Sequence, residues 1–563
     1  MTSEQLIEER RRVRAGLLAE RDLSADEYWS LAESRMDWPL SKGLNLAHEC
    51  CDRWAGDRGR LALSVYESDG SVRRWTYYEL MRASSAIANA FESAGLRRGD
   101  RIAAVLDQGV EAYLCALAAW RAGMVYIPLF VGFGVDALTQ RIRSAECAAI
   151  VVDHRFRDTV AKVQQNLGRT PAIYTVAGPD AVGMQPGDRD LWAEAEVAPK
   201  THSMVVTGLH EVATIMFTSG TTGTPKGCLH NHASILLALQ SFLRHVMALG
   251  RDDVVFAGAN PGWSFGLYTA GLGVQSLGVP RVIYTGRFDP AAWRGVMERE
   301  QVTYVATAPS AYRPLIGYLA DRGVALPDSV RGGLSAGEPL TAAITGGWAA
   351  VGGRVLQDGY GASEMGMVLA DLAYADRTPP PGALSAAVPG FDVGIYDDEG
   401  RPVDELGVIG IRNMRWPIVG YLDLPEAWAA RTVGDVFLSG DLARRDADGN
   451  YWFVGRSDDV IVTAGYNVGP AEVENVIAGI DGVTDVAVVA APDQARGAIV
   501  RAVVIDNGRV SREQITEQIQ ESVRERLGRH AYPKIVDYVA ELPRTETGKV
   551  RRNVLRENYM GQS

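Results

Sequence analysis

The chain has 563 residues, 47% hydrophobic and 22% charged, a composition that supplies ample core and excludes a disordered chain. At about 150 residues per domain, that length fits several units, or one large α/β domain with a smaller companion. Lys and Arg number 57 against 69 Asp and Glu, a net charge of −12, and so acidic a surface argues against nucleic acid as a primary partner.

The first 29 residues mix Glu with Arg and lack an uncharged apolar run. They read as an amphipathic surface helix and not as a signal peptide. No stretch reaches the roughly 18 apolar residues of a membrane span. The best candidate, 122–135, is broken by Pro128, Gly132 and Gly134. Five cysteines, Cys50, Cys51, Cys115, Cys147 and Cys228, include no CxxC pair, so neither a disulfide framework nor a zinc site is expected. These features predict a cytoplasmic protein.

From Arg101 the pattern alternates. RIAAVLDQ, MVYIPLF and CAAIVVD read as strands, with VEAYLCALAAWRAG and DALTQRIRSAE as helices between them. A second such stretch begins at Val212, with VATIMF, VVFAGAN, PRVIYTG, TYVATAP and GGLSAG as strands. DPAAWRGVMERE and LTAAITGGWAAV are its helices. Short apolar runs separated by helices predict an α/β fold of parallel-rich sheets covered by helices. Beyond about Pro380 the texture becomes β-rich, with turns at Asp398-Glu399-Gly400 and Asp448-Gly449. The segment after Asp458 reads as a small α+β domain whose long helix opens on a capping box, Ser511 with Gln514. The chain therefore divides into an N-terminal domain, 1–457, and a C-terminal domain, 458–563.

The strongest local signal is Thr218-Ser-Gly-Thr-Thr-Gly-Thr-Pro-Lys-Gly227, directly after VATIMF. Its glycines and hydroxyls can offer several N–H and O–H groups to one anion, and Lys226 adds a cation. It is not a Walker loop, because Pro225 and Gly227 stand where that motif needs Gly and Ser or Thr.

The decamer resembles the phosphate-binding loop of the AMP-forming adenylating enzymes: acyl-CoA synthetases, adenylation domains and luciferases. Further motifs follow in that family's order over residues 45–560. Gly337, Glu338 and Pro339 in SAGEPL are similar to the segment that lines adenine, as are Asp358 and Gly359 before YGASE. Within YGASE the resemblance makes Tyr360 the adenine-stacking ring, Ser363 an α-phosphate contact and Glu364 the Mg²⁺ ligand. Asp441 in SGD would hold the ribose hydroxyls with Arg456, and Phe453 would line the nucleotide. Ser219, Gly220, Thr221, Thr222 and Gly223 would wrap the phosphates together with Thr218 and Lys226. Lys549 in TETGK resembles the lysine that drives adenylation, and Asp458 the hinge about which the C-terminal domain turns. Gly465, Tyr466 and Asn467 would flank the coenzyme A tunnel. Asn467 departs from the arginine usual in acetate and medium-chain enzymes.

The resemblance implies ATP, Mg²⁺ and coenzyme A as cofactors, a carboxylic acid as substrate, and a homodimer as a candidate assembly. The motifs GYNVGPAEVE, TAPSAYR and PLFVGFG look most like medium-chain and benzoate or 2-aminobenzoate CoA ligases. Trp263, Phe265 and Gly361 are the expected acyl-pocket residues, with glycine where acetate-activating relatives carry tryptophan. His230 and His232 flank the loop, and either a pocket contact or a packed side chain fits them. Three functions stay open: an acyl- or aryl-CoA ligase, a stand-alone adenylation enzyme that loads a carrier protein, and a relative that performs one half-reaction or none. Asn260-Pro-Gly-Trp-Ser-Phe-Gly266 carries no carboxylate to pair with an amino acid's ammonium group, which favours the first.

Overall fold

The computed structural model describes residues 15–560 apart from 179–181, 219–224, 339, 375–378, 416–417, 458, 464–465, 494–496, 530 and 546–548. Two large sheets organise the N-terminal part. One has eight strands and centres on Arg101–Val105, which pairs in parallel with Val125–Leu129 and Ala149–Asp153. The other has nine, with Val255–Ala257, Arg281–Tyr284, Tyr304–Ala306, Gly332–Ala336 and Leu356–Ala362 in parallel register. Every strand expected from the alternating stretches forms, and so do their helices.

Helix Val110–Arg121 is apolar on all sides apart from Glu111 and the ion-paired Arg121 at its end, and it buries nearly every residue, as expected for a helix enclosed by other elements. Its residues share one core cluster with Leu63 and Ile283 of the nine-stranded sheet and Ile102 and Val151 of the eight-stranded one. The two sheets thus close on common apolar material.

Both sheets turn antiparallel next to the chemistry. Val212–Thr218 pairs with Lys226–Asn231, and Leu356–Ala362 with Gly366–Ala370. The short loops between these partners leave no room for a helical crossover, which parallel pairing would require. The region after Pro380 forms a third, antiparallel sheet that includes Leu406–Arg412, Val436–Arg445 and Tyr451–Arg456. Gly449, at φ +85°, makes the tight turn before the last of these.

The C-terminal segment has its own core, in which Val473, Val488, Val500, Ile515 and Ile519 pack together. Its sheet joins Val483–Asp493, Gly497–Asp506 and Ile535–Tyr538. Helix Arg512–Leu527 is capped by the Ser511 hydroxyl, which accepts from Gln514 N. The reciprocal half of the expected capping box is replaced, since the Ser511 hydroxyl also donates to Gln514 Oε1 at 3.3 Å.

The expected amphipathic surface helix is described only from residue 15 onward, and within Ala25–Ser34 one face is exposed and the other buried. Helix Ala25–Ser34 buries Tyr28, Trp29 and Ala32, and Trp29 Nε1 donates to Gly390 O at 2.7 Å. The two large aromatic rings form the face that packs on the core, while Asp26, Glu27 and Ser30 stay exposed. All five cysteines are free and buried, and burial pushes the Cys147 thiol up to about 12. No described helix is long and apolar enough to cross a membrane.

Candidate active site

A cavity of about 1220 Å³ opens between the two large sheets and the C-terminal segment. Its nucleotide-like end is built by strand ends. Lys226 opens strand Lys226–Asn231, beside Thr218 at the end of its partner. The Thr218 hydroxyl donates to Lys226 O at 3.3 Å, closing the base of the loop. Lys226 Nζ lies 5.2 Å from the centre of the Tyr421 ring, a cation held over an aromatic face. Ser219, Gly220, Thr221, Thr222 and Gly223 lie outside the described residues, as do Pro339, Asp458 and Gly465. Strand Tyr466–Val468 pairs with Ile461–Thr463, but the side chains of Tyr466 and Asn467 also lie outside.

Strand Leu356–Ala362 supplies Asp358, Gly359, Tyr360 and Gly361 to the cavity, and the turn after it supplies Ser363 and Glu364. Tyr360 and Phe453 face each other with ring centres 6.2 Å apart. The Tyr360 hydroxyl donates to Asp441 Oδ2 at 2.6 Å, and Arg456 Nη1 donates to Asp441 Oδ1 at 3.0 Å. Asp441 and Arg456 are brought together because their strands pair antiparallel in that register. Glu364 Oε1 accepts from the Tyr421 hydroxyl at 2.7 Å.

Glu364 is the carboxylate expected to hold Mg²⁺. The described residues contain no group of three or more His, Cys, Asp or Glu that could form a protein cage. A lone carboxylate beside a phosphate-type loop fits Mg²⁺, which keeps most of its shell as water and substrate phosphate oxygens.

Buried carboxyls stand behind this wall. Burial, reinforced by Asp371, pushes Asp358 well above the usual carboxylate range. Burial pushes Asp371 up to about 6, although its oxygens accept from Asp358 N and Ser385 N. Gly337 sits at φ +91°, a left-handed conformation that favours glycine, against the Trp263 ring. Burial raises the Glu338 carboxyl, opposed by the nearby charges of Arg544, Arg313 and Lys549. Lys549 itself is exposed on the cavity rim. Its loop is closed by Thr545 N donating to Lys549 O at 2.7 Å and Lys549 N donating to Thr545 Oγ1 at 3.1 Å.

The other end of the cavity is apolar. Trp263 and Phe265 line it, together with Phe242, Leu239, Tyr268 and Met367. Gly361 lines it too, but not as an open floor. A Cβ on Gly361 would stand 2.1 Å from Gly366 O and 2.7 Å from Met367 Cα. The absent side chain therefore serves the close approach of two strands at a bulge between Tyr360 and Gly361. Gly359 has the other geometry: its Cβ would point at Met367 Cε and Phe242 Cζ, 2.8 and 2.9 Å away.

His230 and His232 separate. His232 is a packed side chain whose Nδ1 accepts from Leu46 N at 3.1 Å. His230 lines the cavity, and its Nε2 lies 2.7 Å from Ser363 O. Burial pushes these imidazoles down, to about 4 for His230 and about 3 for His232, so both are neutral near pH 7. Sequence reasoning missed Tyr421 and Phe242, which line the cavity with no local motif to flag them, and Asp371, which stands behind Asp358; Arg313 closes TAPSAYR but was given no role.

The family model described as AMP-binding enzyme matches residues 51–421, and the one described as AMP-binding enzyme C-terminal domain matches 472–549. The chain is 31% identical over 548 residues to human acyl-coenzyme A synthetase ACSM4, mitochondrial, covering 93% of this chain and 92% of that protein. ATP-bound MatB from Rhodopseudomonas palustris superposes with a TM-score of 0.80 at 29% identity, covering 92% and 99% of the two chains. A benzoate CoA ligase from Burkholderia xenovorans LB400 does so with 0.80 at 25% identity, over 91% and 100%.

Proposed function

Because the chain belongs to the AMP-binding enzyme family, as an AMP-forming ligase of the acyl-CoA synthetase kind, we propose that it activates a medium-sized apolar, aromatic or cyclic carboxylic acid with ATP and passes the acyl group to coenzyme A. The observation that carries this reading is the composition of one cavity. Lys226, Glu364, Asp441, Arg456 and Lys549 line it together with an apolar chamber walled by Trp263, Phe265 and Phe242.

A carboxylate is a poor acyl donor because oxide would have to leave. Attack of its oxygen on the α-phosphorus of ATP gives an acyl adenylate and pyrophosphate, and two anions must meet for that to happen. Lys226 and Lys549 place positive charge where phosphate charge accumulates, and a fixed cation needs no reorganisation during the reaction. Bound Mg²⁺, held through Glu364, would neutralise further phosphate charge. Asp441 and Arg456 hold the ribose side, and Tyr360 with Phe453 forms the wall for the base. The apolar chamber excludes water from the adenylate until the thiol arrives. In this scheme 1–457 binds ATP and acid, while 458–563 swings about Asp458 and carries Gly465 to the pantetheine path.

Similarity to the acyl-coenzyme A synthetase and benzoate CoA ligase relatives supports an acyl or aryl acid. ATP–pyrophosphate exchange across a panel of acids, followed by thioester formation with coenzyme A, tests the reading. Exchange with benzoate-sized or medium-chain acids and thioester product are expected; exchange only with amino acids, or none at all, overturns it.

A further inference from the structure

Glu364 lines the cavity and is half-buried. Among the described residues the Tyr421 hydroxyl is its sole hydrogen-bond donor, to Oε1 at 2.7 Å, and none of their Lys, Arg or His side chains forms an ion pair with it. A carboxylate drawn out of bulk water in this way gains most from a bound cation. Tyr421 itself is 4% exposed and firmly held. Its strand, Gly420–Tyr421, pairs antiparallel with Lys226–Asn231, which sets Tyr421 opposite Cys228. The neighbouring backbone extends the pairing, with Val419 N donating to Leu229 O at 2.7 Å and Leu422 N to Gly227 O at 2.8 Å. Trp428 meets the tyrosine ring edge to face, their centres 5.3 Å apart, and Lys226 Nζ stands 5.2 Å from the ring centre. A ring fixed by so many contacts does not follow the carboxylate; the carboxylate follows the ring.

A hydrogen bond to Oε1 fixes the plane of the carboxylate and draws charge from that oxygen, so Oε2 is the freer donor. We propose that Tyr421 is a positioning residue that makes Glu364 a one-oxygen ligand and so selects Mg²⁺ against Ca²⁺. Mg²⁺ demands near-octahedral geometry and keeps most of its water, whereas Ca²⁺ is larger, tolerates irregular geometry and gains from a carboxylate that chelates with both oxygens. Outer partners of this kind orient metal ligands, and their loss typically costs about ten- to a hundredfold in metal affinity. The inference rests on the reading of Glu364 as the carboxylate that holds Mg²⁺.

The experiment titrates the full chain with α,β-methylene ATP, which the first half-reaction cannot cleave, by calorimetry in EDTA, in saturating Mg²⁺ and in saturating Ca²⁺. Wild type should bind the analogue more tightly with Mg²⁺ than with Ca²⁺. Tyr421→Phe keeps the ring and loses the hydroxyl. It should leave affinity in EDTA unchanged, lower the gain from Mg²⁺ by about tenfold and bring the ratio of Mg²⁺ to Ca²⁺ affinities towards one. In a Glu364→Gln background the same substitution should change none of these values. A merely structural role would weaken binding in EDTA as well and leave the ratio as in wild type. A wild-type ratio near one, a wild-type ratio retained in Tyr421→Phe, or an effect that persists without the Glu364 carboxylate overturns the proposal. If Tyr421→Phe fails to fold, Glu364→Asp decides. Its shorter side chain draws away from the hydroxyl and should lose the Mg²⁺ preference, and a retained preference overturns the proposal. Equal wild-type binding in EDTA and in Mg²⁺ overturns the reading of Glu364 as a metal ligand, a different result from equal binding in Mg²⁺ and Ca²⁺.

Discussion

The carboxylate of Asp441 is shared: Oδ2 accepts from the Tyr360 hydroxyl at 2.6 Å and Oδ1 from Arg456 Nη1 at 3.0 Å. One acidic group thereby fixes both the ring proposed to stack on the base and the guanidinium proposed to face the ribose. Asp441→Asn removes a charge-assisted contact of about 1.5–3 kcal/mol, and the KM for ATP should rise by roughly tenfold to a hundredfold. Tyr360→Phe removes a single hydroxyl contact and should raise it less. The double variant should fall short of the product of the two, because both act through one carboxylate. Pyrophosphate exchange at varied ATP measures all three.

Lys549 sits on the exposed rim of the cavity, on a loop closed by Thr545. Lys549→Ala should lower adenylate formation by about 10²–10³-fold while largely sparing thioester formation from a synthetic acyl adenylate. Equal loss in the two half-reactions would show that the lysine serves the fold or both steps alike.

Two glycines on one strand should behave oppositely. A Cβ on Gly361 collides with the backbone of Gly366 and Met367, so Gly361→Ala should lower the thermal midpoint by several degrees and reduce activity with every acid. On Gly359 a Cβ meets the mobile end of Met367 and the edge of Phe242. Gly359→Ala should fold, narrow the chamber and shift preference towards smaller acids. Thermal melts and an acid panel on both variants check this.

Asp371 gives a pH prediction. Its carboxyl is raised to about 6 in the folded chain from an ordinary value of 3.8. The folded state therefore holds a proton that the unfolded chain releases, and the stability linked to this group is present below about pH 4 and lost as pH rises through about 6. Asp371→Asn cannot ionise. The stability of wild type relative to this variant should decline between pH 4 and pH 6 and then level off, as measured by urea unfolding at stepped pH. A flat difference would mean that Asp371 titrates normally.

Much of this architecture was legible because it is local. VEAYLCALAAWRAG has the composition of an enclosed helix, and the decamer at Thr218 combines glycine, hydroxyls and lysine in an order few other tasks require. Residues that meet only through the fold were not legible. Tyr421 reaches Glu364 across 57 positions and His230 reaches Ser363 across 133, and no periodicity carries such pairings. Gly361 was legible as a missing side chain, but the direction of its absent Cβ was not. That direction depends on the register of the neighbouring strand and reverses the meaning of the residue.

Strand Lys226–Asn231 acts as a ruler. Its lysine stands beside Thr218 and its histidine on Ser363, four residues and about 13 Å of extended backbone apart, and both line the cavity. An extended strand pinned to its neighbour by a ladder of hydrogen bonds does not stretch, so the two ends are held at a set distance from each other. On the proposed function, side chains on the surrounding helices could then be exchanged to admit a different acid without disturbing this strand. The division leaves the chemistry on a rigid gauge and the choice of substrate on replaceable walls, which is one route by which a single scaffold can diversify over many acids.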